Sequence, residues 1–119
     1  MNQKEVQKKL LKLHDQIKKI SPDYISMLTV GSTAVGDKWI AGRSDYDILL
    51  IFKKDFQKYL PQIKKILEDI NFDDSFLFVP FNKKDYTKIT NSSFDFCNKF
   101  KCKALHGKDV SKECKPRIK

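Results

Sequence analysis

Long apolar runs are missing from this 119-residue chain. None approaches the roughly 20 residues that a bilayer-spanning helix needs, which argues against a helical membrane protein. The N-terminal stretch lacks the apolar core of a secretion signal and reads instead as a charged, helix-like repeat. The expectation is a cytoplasmic protein with no membrane partner. Arginine is scarce, with only Arg43 and Arg117 beside 22 lysines. Site-specific contacts to nucleic acid lean on Arg, so sequence-specific readout of bases is disfavoured. Cysteines are few and odd in number: Cys97, Cys102 and Cys114. In a chain read as intracellular this disfavours disulfides. With His106 they spell Cys-x4-Cys-x3-His-x7-Cys, which lacks the tight Cys-x2-Cys knuckle of common zinc sites. Cys97 also falls among Phe94, Phe96 and Phe100, where a free Cys simply packs. Internal repeats and interdomain linkers are absent. The length suits one domain and leaves no room for a separate large substrate lobe.

What is present is a core and a great deal of lysine. Hydrophobic residues make up 40% of the chain and nine of its fourteen aromatics are Phe, enough apolar surface for a folded domain. The net charge is +9. Such an excess reads either as a footprint for RNA, DNA or a polyphosphate, or as a solvated surface. The lysines are scattered rather than gathered in one stripe, which favours the solvated surface and leaves RNA as a weaker partner expectation.

Val6, Leu10, Leu13, Ile17 and Ile20 recur at helical spacing and predict an amphipathic first helix ending before Ser21-Pro22. His14 sits beside this stripe and reads as a boundary residue. Tyr24 to Val30 is a β-prone run stopped by Gly31, the first strand. Residues 32–39 read as a short helix or turn and 41–44 as a loop. Asp45 to Phe52 is the second strand, and its unbroken Ile48-Leu49-Leu50-Ile51-Phe52 predicts burial on both faces. Asp55 reads as an N-cap. Phe56 to Ile70 then follows a helical period, with Pro61 either kinking the helix or marking its true first turn. Phe76 to Val79 predicts a third strand closed by Pro80. A short helical piece follows, starting at Asn82 or Lys84-Asp85 and running to Ile89. Asn91-Ser92-Ser93 would cap a last helix over Phe94–Leu105. The fold class is α/β (α+β): a small mixed sheet with helices packed on one face.

The most informative stretch runs from Val30-Gly31-Ser32 to Asp45-Tyr46-Asp47. Residues two apart on a strand share a face, so Asp45 and Asp47 stand side by side. Paired carboxylates repel unless a cation sits between them. Oxygen-only ligands suit Mg²⁺, which is held by one or two carboxylates plus substrate phosphates. Gly-Ser at a strand end offers unhindered backbone N–H groups to an anion. A solvated pair of acids at a strand edge is the bland alternative. Ile48 to Phe52, which bury the strand directly after the pair, weigh against it.

Gly31-Ser32, the twelve-residue connection and Ser44-Asp45-Tyr46-Asp47 resemble the nucleotidyltransferase superfamily with DNA polymerase β-like folds, and most closely its minimal single-domain members. Ala104-Leu105-His106-Gly107-Lys108-Asp109-Val110 is similar to a Leu-Tyr-Gly-Lys-Asp segment near the end of those domains. The resemblance implies one polymerase β palm-like domain over residues 1–110, followed by a polar tail at 111–119. It implies transfer of a nucleoside monophosphate from ATP or another NTP to an acceptor hydroxyl, with Mg²⁺ as cofactor. Asp45 and Asp47 would be the metal ligands, and Gly31 and Ser32 would hold the triphosphate. Lys38 and Arg43 lie in the intervening loop within reach of a phosphate. The small relatives also imply a helical partner protein, as in toxin–antitoxin modules, whose side-chain hydroxyl can be the acceptor. One departure stands out. Active relatives place a third carboxylate on the next core strand as general base, whereas Phe76 or Leu77 occupies that place here. Asp74 is the nearest substitute, with Asp73 facing the other way. The rival expectation is a non-catalytic nucleotide- or RNA-binding module on a degenerate fold.

Overall fold

The computed structural model describes residues 3–30, 46–72, 76–86 and 102–108. In chain order these form α1 (Gln3–Ile20), β1 (Tyr24–Val30), β2 (Tyr46–Phe52), a 3₁₀ turn (Phe56–Tyr59), α2 (Leu60–Ile70), β3 (Phe76–Asn82) and β4 (Cys102–Gly107). The four strands make one sheet in the order β3-β2-β1-β4. β1 runs antiparallel to β2 and β4, while β2 and β3 are parallel. The expected mixed sheet is therefore present, and the fold is α+β.

The apolar stripe of α1 behaves as its period demands. Val6, Leu10, Leu13 and Ile17 are at most 3% exposed, and Ile20 packs against their edge. Ile63, Ile66 and Ile70 of α2 join the same cluster. From the sheet, Ile48, Leu50 and Phe52 point into it, as strand alternation requires. Leu49 and Ile51 point the opposite way, into a second cluster with Leu28 and Tyr86. The expectation that β2 is buried on both faces is thus met, and the two faces of the sheet are distinct. One is covered by α1 and α2. The other carries Tyr86, which follows β3 in a helical turn at 83–86.

Pro61 marks a first turn. It stands at the start of α2, where its missing N–H is no loss, and Phe56–Tyr59 winds separately as a 3₁₀ turn. Asp55 does not act as the expected cap: its backbone is left-handed (φ 53°) and its side chain makes no capping hydrogen bond. The Phe56 N–H instead donates to the Asn82 side-chain carbonyl, 3.1 Å away. Asn71, left-handed at φ 61°, closes α2 through its N–H to the Leu67 carbonyl.

Two element boundaries depart from the sequence reading. β3 does not stop at Pro80 but continues to Asn82, with Pro80 opposite Leu50. Among the described strands β3 lies at the edge of the sheet, and an edge tolerates a residue without N–H. The helix expected over Phe94–Leu105 ends instead in β4, because residues from Cys102 pair with β1. Residues 94–101 lie outside the described residues. Pairing with the outer edge of β1 overrides the local helical pattern at Cys102 to Leu105. β4 is also bulged. Met27 pairs with His106 and Leu28 with Ala104, so Leu105 is the extra residue. A bulge brings two successive side chains toward one face. Leu105 accordingly packs on the α1–α2 cluster and His106 meets α1, while Ala104 belongs to the other face.

Candidate active site at one end of the sheet

Strand directions gather four strand ends at one end of the sheet. β1 finishes there at Val30, and β2, β3 and β4 begin there, with Tyr46 opposite Phe76 and Val30 opposite Cys102. These are the ends to which the motif is joined in sequence. Gly31-Ser32 follows β1, Ser44-Asp45 precedes β2, and Asp74 stands two residues before β3. Gly31, Ser32, Lys38, Arg43, Ser44, Asp45, Asp73 and Asp74 themselves lie outside the described residues.

Asp47 is described, and its setting is informative. It is the second residue of β2 and half-buried. Strand alternation aligns it with Leu49 and Ile51, so it belongs to the face away from α1 and α2. On the neighbouring strand Leu77 is opposite Asp47, Val79 opposite Leu49, and Phe81 opposite Ile51. Val79 and Phe81 pack with Leu49 and Ile51, which fixes Leu77 on the same face as Asp47. Phe76 belongs to the other face, where its ring lies 5.5 Å from that of Phe72. Of the two residues that the sequence left open for the position of a third carboxylate, the register therefore selects Leu77. It is 56% exposed. A half-buried carboxylate at the start of a strand could hold a hard cation that takes oxygen ligands. Among the described residues, however, no three His, Cys, Asp or Glu side chains gather to hold a metal.

The opposite face holds a polar cluster that sequence reading missed. His14 is buried rather than peripheral, and its Nδ1 lies 2.7 Å from the Tyr24 hydroxyl. The bulge in β4 brings His106 to it, with ring centroids 5.1 Å apart. These are the only two histidines in the chain. Burial holds the His14 imidazole below its usual range, reinforced by His106 and Lys18 and opposed by Asp15. Burial likewise lowers His106, against the pull of Asp15. The Tyr24 phenol is pushed far up by burial, with Asp15 adding to it. The only sequence signal was the place of His14 beside an apolar stripe, which does not foretell a partner 92 positions away. Cys102 pairs with Val30 at the far end of β4, about 12 Å of strand from His106. Cys97 and Cys114 of the Cys-and-His quartet lie outside the described residues.

Gly107 explains part of the C-terminal motif. Its φ is +82°, and a β-carbon there would lie 2.5 Å from the Ile25 carbonyl oxygen and 2.9 Å from Ser26 Cα. Glycine is needed at this place to let β4 close on β1, whatever the role of the residues around it.

No protein-family model and no curated protein matches the chain. Among solved structures, the chain is similar to a protein from Sulfolobus solfataricus to which a nucleotidyltransferase function has been ascribed. The TM-score is 0.51 and the identity 16%, with 72% of this chain and 75% of the other covered. At that identity the likeness is one of fold. Among the described residues no helix is long and apolar enough to cross a membrane. The chain has a nucleotidyltransferase-like fold, with Asp47 on the face of the sheet away from α1 and α2.

Proposed function

We propose that this chain is a minimal, Mg²⁺-dependent nucleotidyltransferase that moves a nucleoside monophosphate from an NTP, ATP in the first instance, to an acceptor hydroxyl. The observation that carries this reading is the placement of Asp47: half-buried, at the mouth of β2, on the face free of α1 and α2, in a nucleotidyltransferase-like sheet. An acid so placed, with Asp45 two residues earlier on the same strand pattern, fits a hard cation that takes oxygen ligands. Asp45 and Asp47 hold the ion in this reading. When bound, Mg²⁺ supplies charge neutralisation for the triphosphate and the leaving pyrophosphate. Gly31 and Ser32 grip phosphate oxygens through backbone N–H groups and a hydroxyl, and Ser44 joins them in binding the nucleotide. Lys38 and Arg43 add positive charge along the triphosphate. The acceptor oxygen attacks the α-phosphorus, the bond to the bridging oxygen breaks, and pyrophosphate leaves. The acceptor's proton passes to Asp74 or to a base carried by the acceptor itself. The acceptor in this reading is a side-chain hydroxyl of a helical partner protein, as in two-component toxin–antitoxin modules.

A second reading, a nucleotide- or RNA-binding module without turnover, is favoured by one observation. The residue beside Asp47 on β3 is Leu77, which cannot accept a proton. Incubation with α-labelled ATP, Mg²⁺ and a candidate partner separates the two. Transfer of label that is lost in Asp45→Asn and Asp47→Asn supports the enzyme. Binding without pyrophosphate release supports the module. Salt-sensitive RNA binding indifferent to both substitutions refutes a role for the acids in it.

A further inference from the structure

A cavity of about 470 Å³ opens between the first turns of α1 and strand β4, on the side of the sheet opposite to Asp47. Its described lining is Lys4, Gln7, Lys8, Leu10, Leu11, Leu105 and His106. The chemistry divides by position. Leu10, Leu11 and Leu105 form an apolar floor, and Leu11 remains 46% exposed although it lies beside the core stripe. Lys4 and Lys8, one helical turn apart and both exposed, stand with Gln7 at the rim. His106 closes the β4 side, and among the described residues no hydrogen bond engages its ring. The cavity falls in the size range of small-molecule pockets, which are apolar with a few convergent polar groups. The two ammonium groups repel cations, and they, the amide and the imidazole have no partner in a purely apolar guest. The N-terminal end of the long helix α1 adds partial positive charge on the same side.

We propose that this groove binds a small amphipathic acid: an apolar tail laid on Leu10, Leu11 and Leu105, with a carboxylate or phosphate head held by Lys4, Lys8 and His106. The site is independent of the nucleotidyl-transfer reading, since the two lie on opposite faces of the sheet. Two features of the fold build it. The β4 bulge turns Leu105 and His106 toward α1 together, and α1 keeps a leucine at the exposed position 11.

The test is a titration of the ¹⁵N-labelled full chain with decanoate below its micellar range, followed by backbone amide shifts. Decanol and acetate serve as the headless and tailless probes. Decanoate is expected to shift Gln7, Leu11, Leu105 and His106 saturably below ~1 mM, and to bind at least roughly tenfold more tightly than either control. Reversing both rim charges, Lys4→Glu with Lys8→Glu, touches only exposed side chains and should weaken decanoate roughly tenfold without changing the thermal midpoint. Leu11→Asn should weaken it while leaving the fold intact. The proposal is overturned if decanol binds as tightly as decanoate, if the charge-reversed variant binds unchanged, or if the shifts map to the Asp47 face.

Discussion

Leu77→Asp would place a second carboxylate next to Asp47, and its consequences follow from the strand register. Position 77 is opposite Asp47 on the parallel neighbour and shares its face. Leu77 is 56% exposed, so losing its side chain costs little by itself, about 0.5 kcal/mol or less. Directly opposed side chains on neighbouring strands have β-carbons about 5 Å apart. Two carboxylates then sit about 6 Å apart, and their repulsion is about 0.7 kcal/mol in water and about 3 kcal/mol at an effective dielectric of 20. Half-exposure of both groups favours the lower part of that range, about 1 kcal/mol. For a domain of this size that lowers the melting temperature by about 4 °C. Mg²⁺ removes the repulsion and gains a ligand, so the variant should regain its midpoint in millimolar Mg²⁺ and respond more strongly than wild type. The assay is thermal unfolding with and without Mg²⁺, with Ca²⁺ as a second oxygen-seeking cation. If the new acid also accepts the proton of the acceptor hydroxyl, transfer should rise by about 10²-fold. A variant whose midpoint responds to Mg²⁺ no more than that of wild type would refute the pairing of position 77 with a metal-holding Asp47.

Three further outcomes are expected. Gly107→Ala forces a β-carbon to within 2.5 Å of the Ile25 carbonyl at φ +82°, and should cost about 2–4 kcal/mol in denaturant unfolding; a loss under about 1 kcal/mol would show that β4 can move off β1. Leu13→Ala, at 0% exposure in the heart of the α1 stripe, should cost about 3–5 kcal/mol by the same measurement, and a near-neutral result would contradict the packing of α1. The folded-state pKa values of His14 and His106 lie below 6.5, so the unfolded chain binds more protons. Stability should therefore be full above about pH 6.5 and fall as the pH drops through the lowered values. Histidine ring shifts should titrate below 6.5, and a melting temperature flat from pH 7 to about 5 would contradict the burial of the pair.

The elements legible in the sequence were those whose burial repeats locally. The α1 stripe, the β-prone run of β1, the unbroken apolar run of β2 and the period of α2 each announce themselves because one element's own spacing decides which face is buried. What was illegible depended on distant partners. β4 looks helical until β1 offers it an edge, and β3 outruns Pro80 because among the described residues its outer side has no strand to serve. The meeting of His14 with His106 needs a bulge that no local pattern signals. The face that Asp47 shares with Leu49 and Ile51 was legible, since i and i+2 share a strand face whatever the fold, while its partner Asp45 lies outside the described residues. Which of Phe76 and Leu77 stands beside Asp47 was not legible, because that choice is set by the β2–β3 register. The glycine of the C-terminal motif is explained by close approach to Ser26, a contact between residues remote in sequence.

The most direct measurement is release of pyrophosphate and transfer of label from α-labelled ATP, compared between wild type and Asp47→Asn with a candidate partner present. The substitution is close to isosteric at a half-buried position, so both proteins should fold. Wild type should label the acceptor in a Mg²⁺-dependent way, and Asp47→Asn should lose at least about 10²-fold of that rate. Equal labelling by the two proteins would contradict the assignment of the β2 acid as the centre of the site.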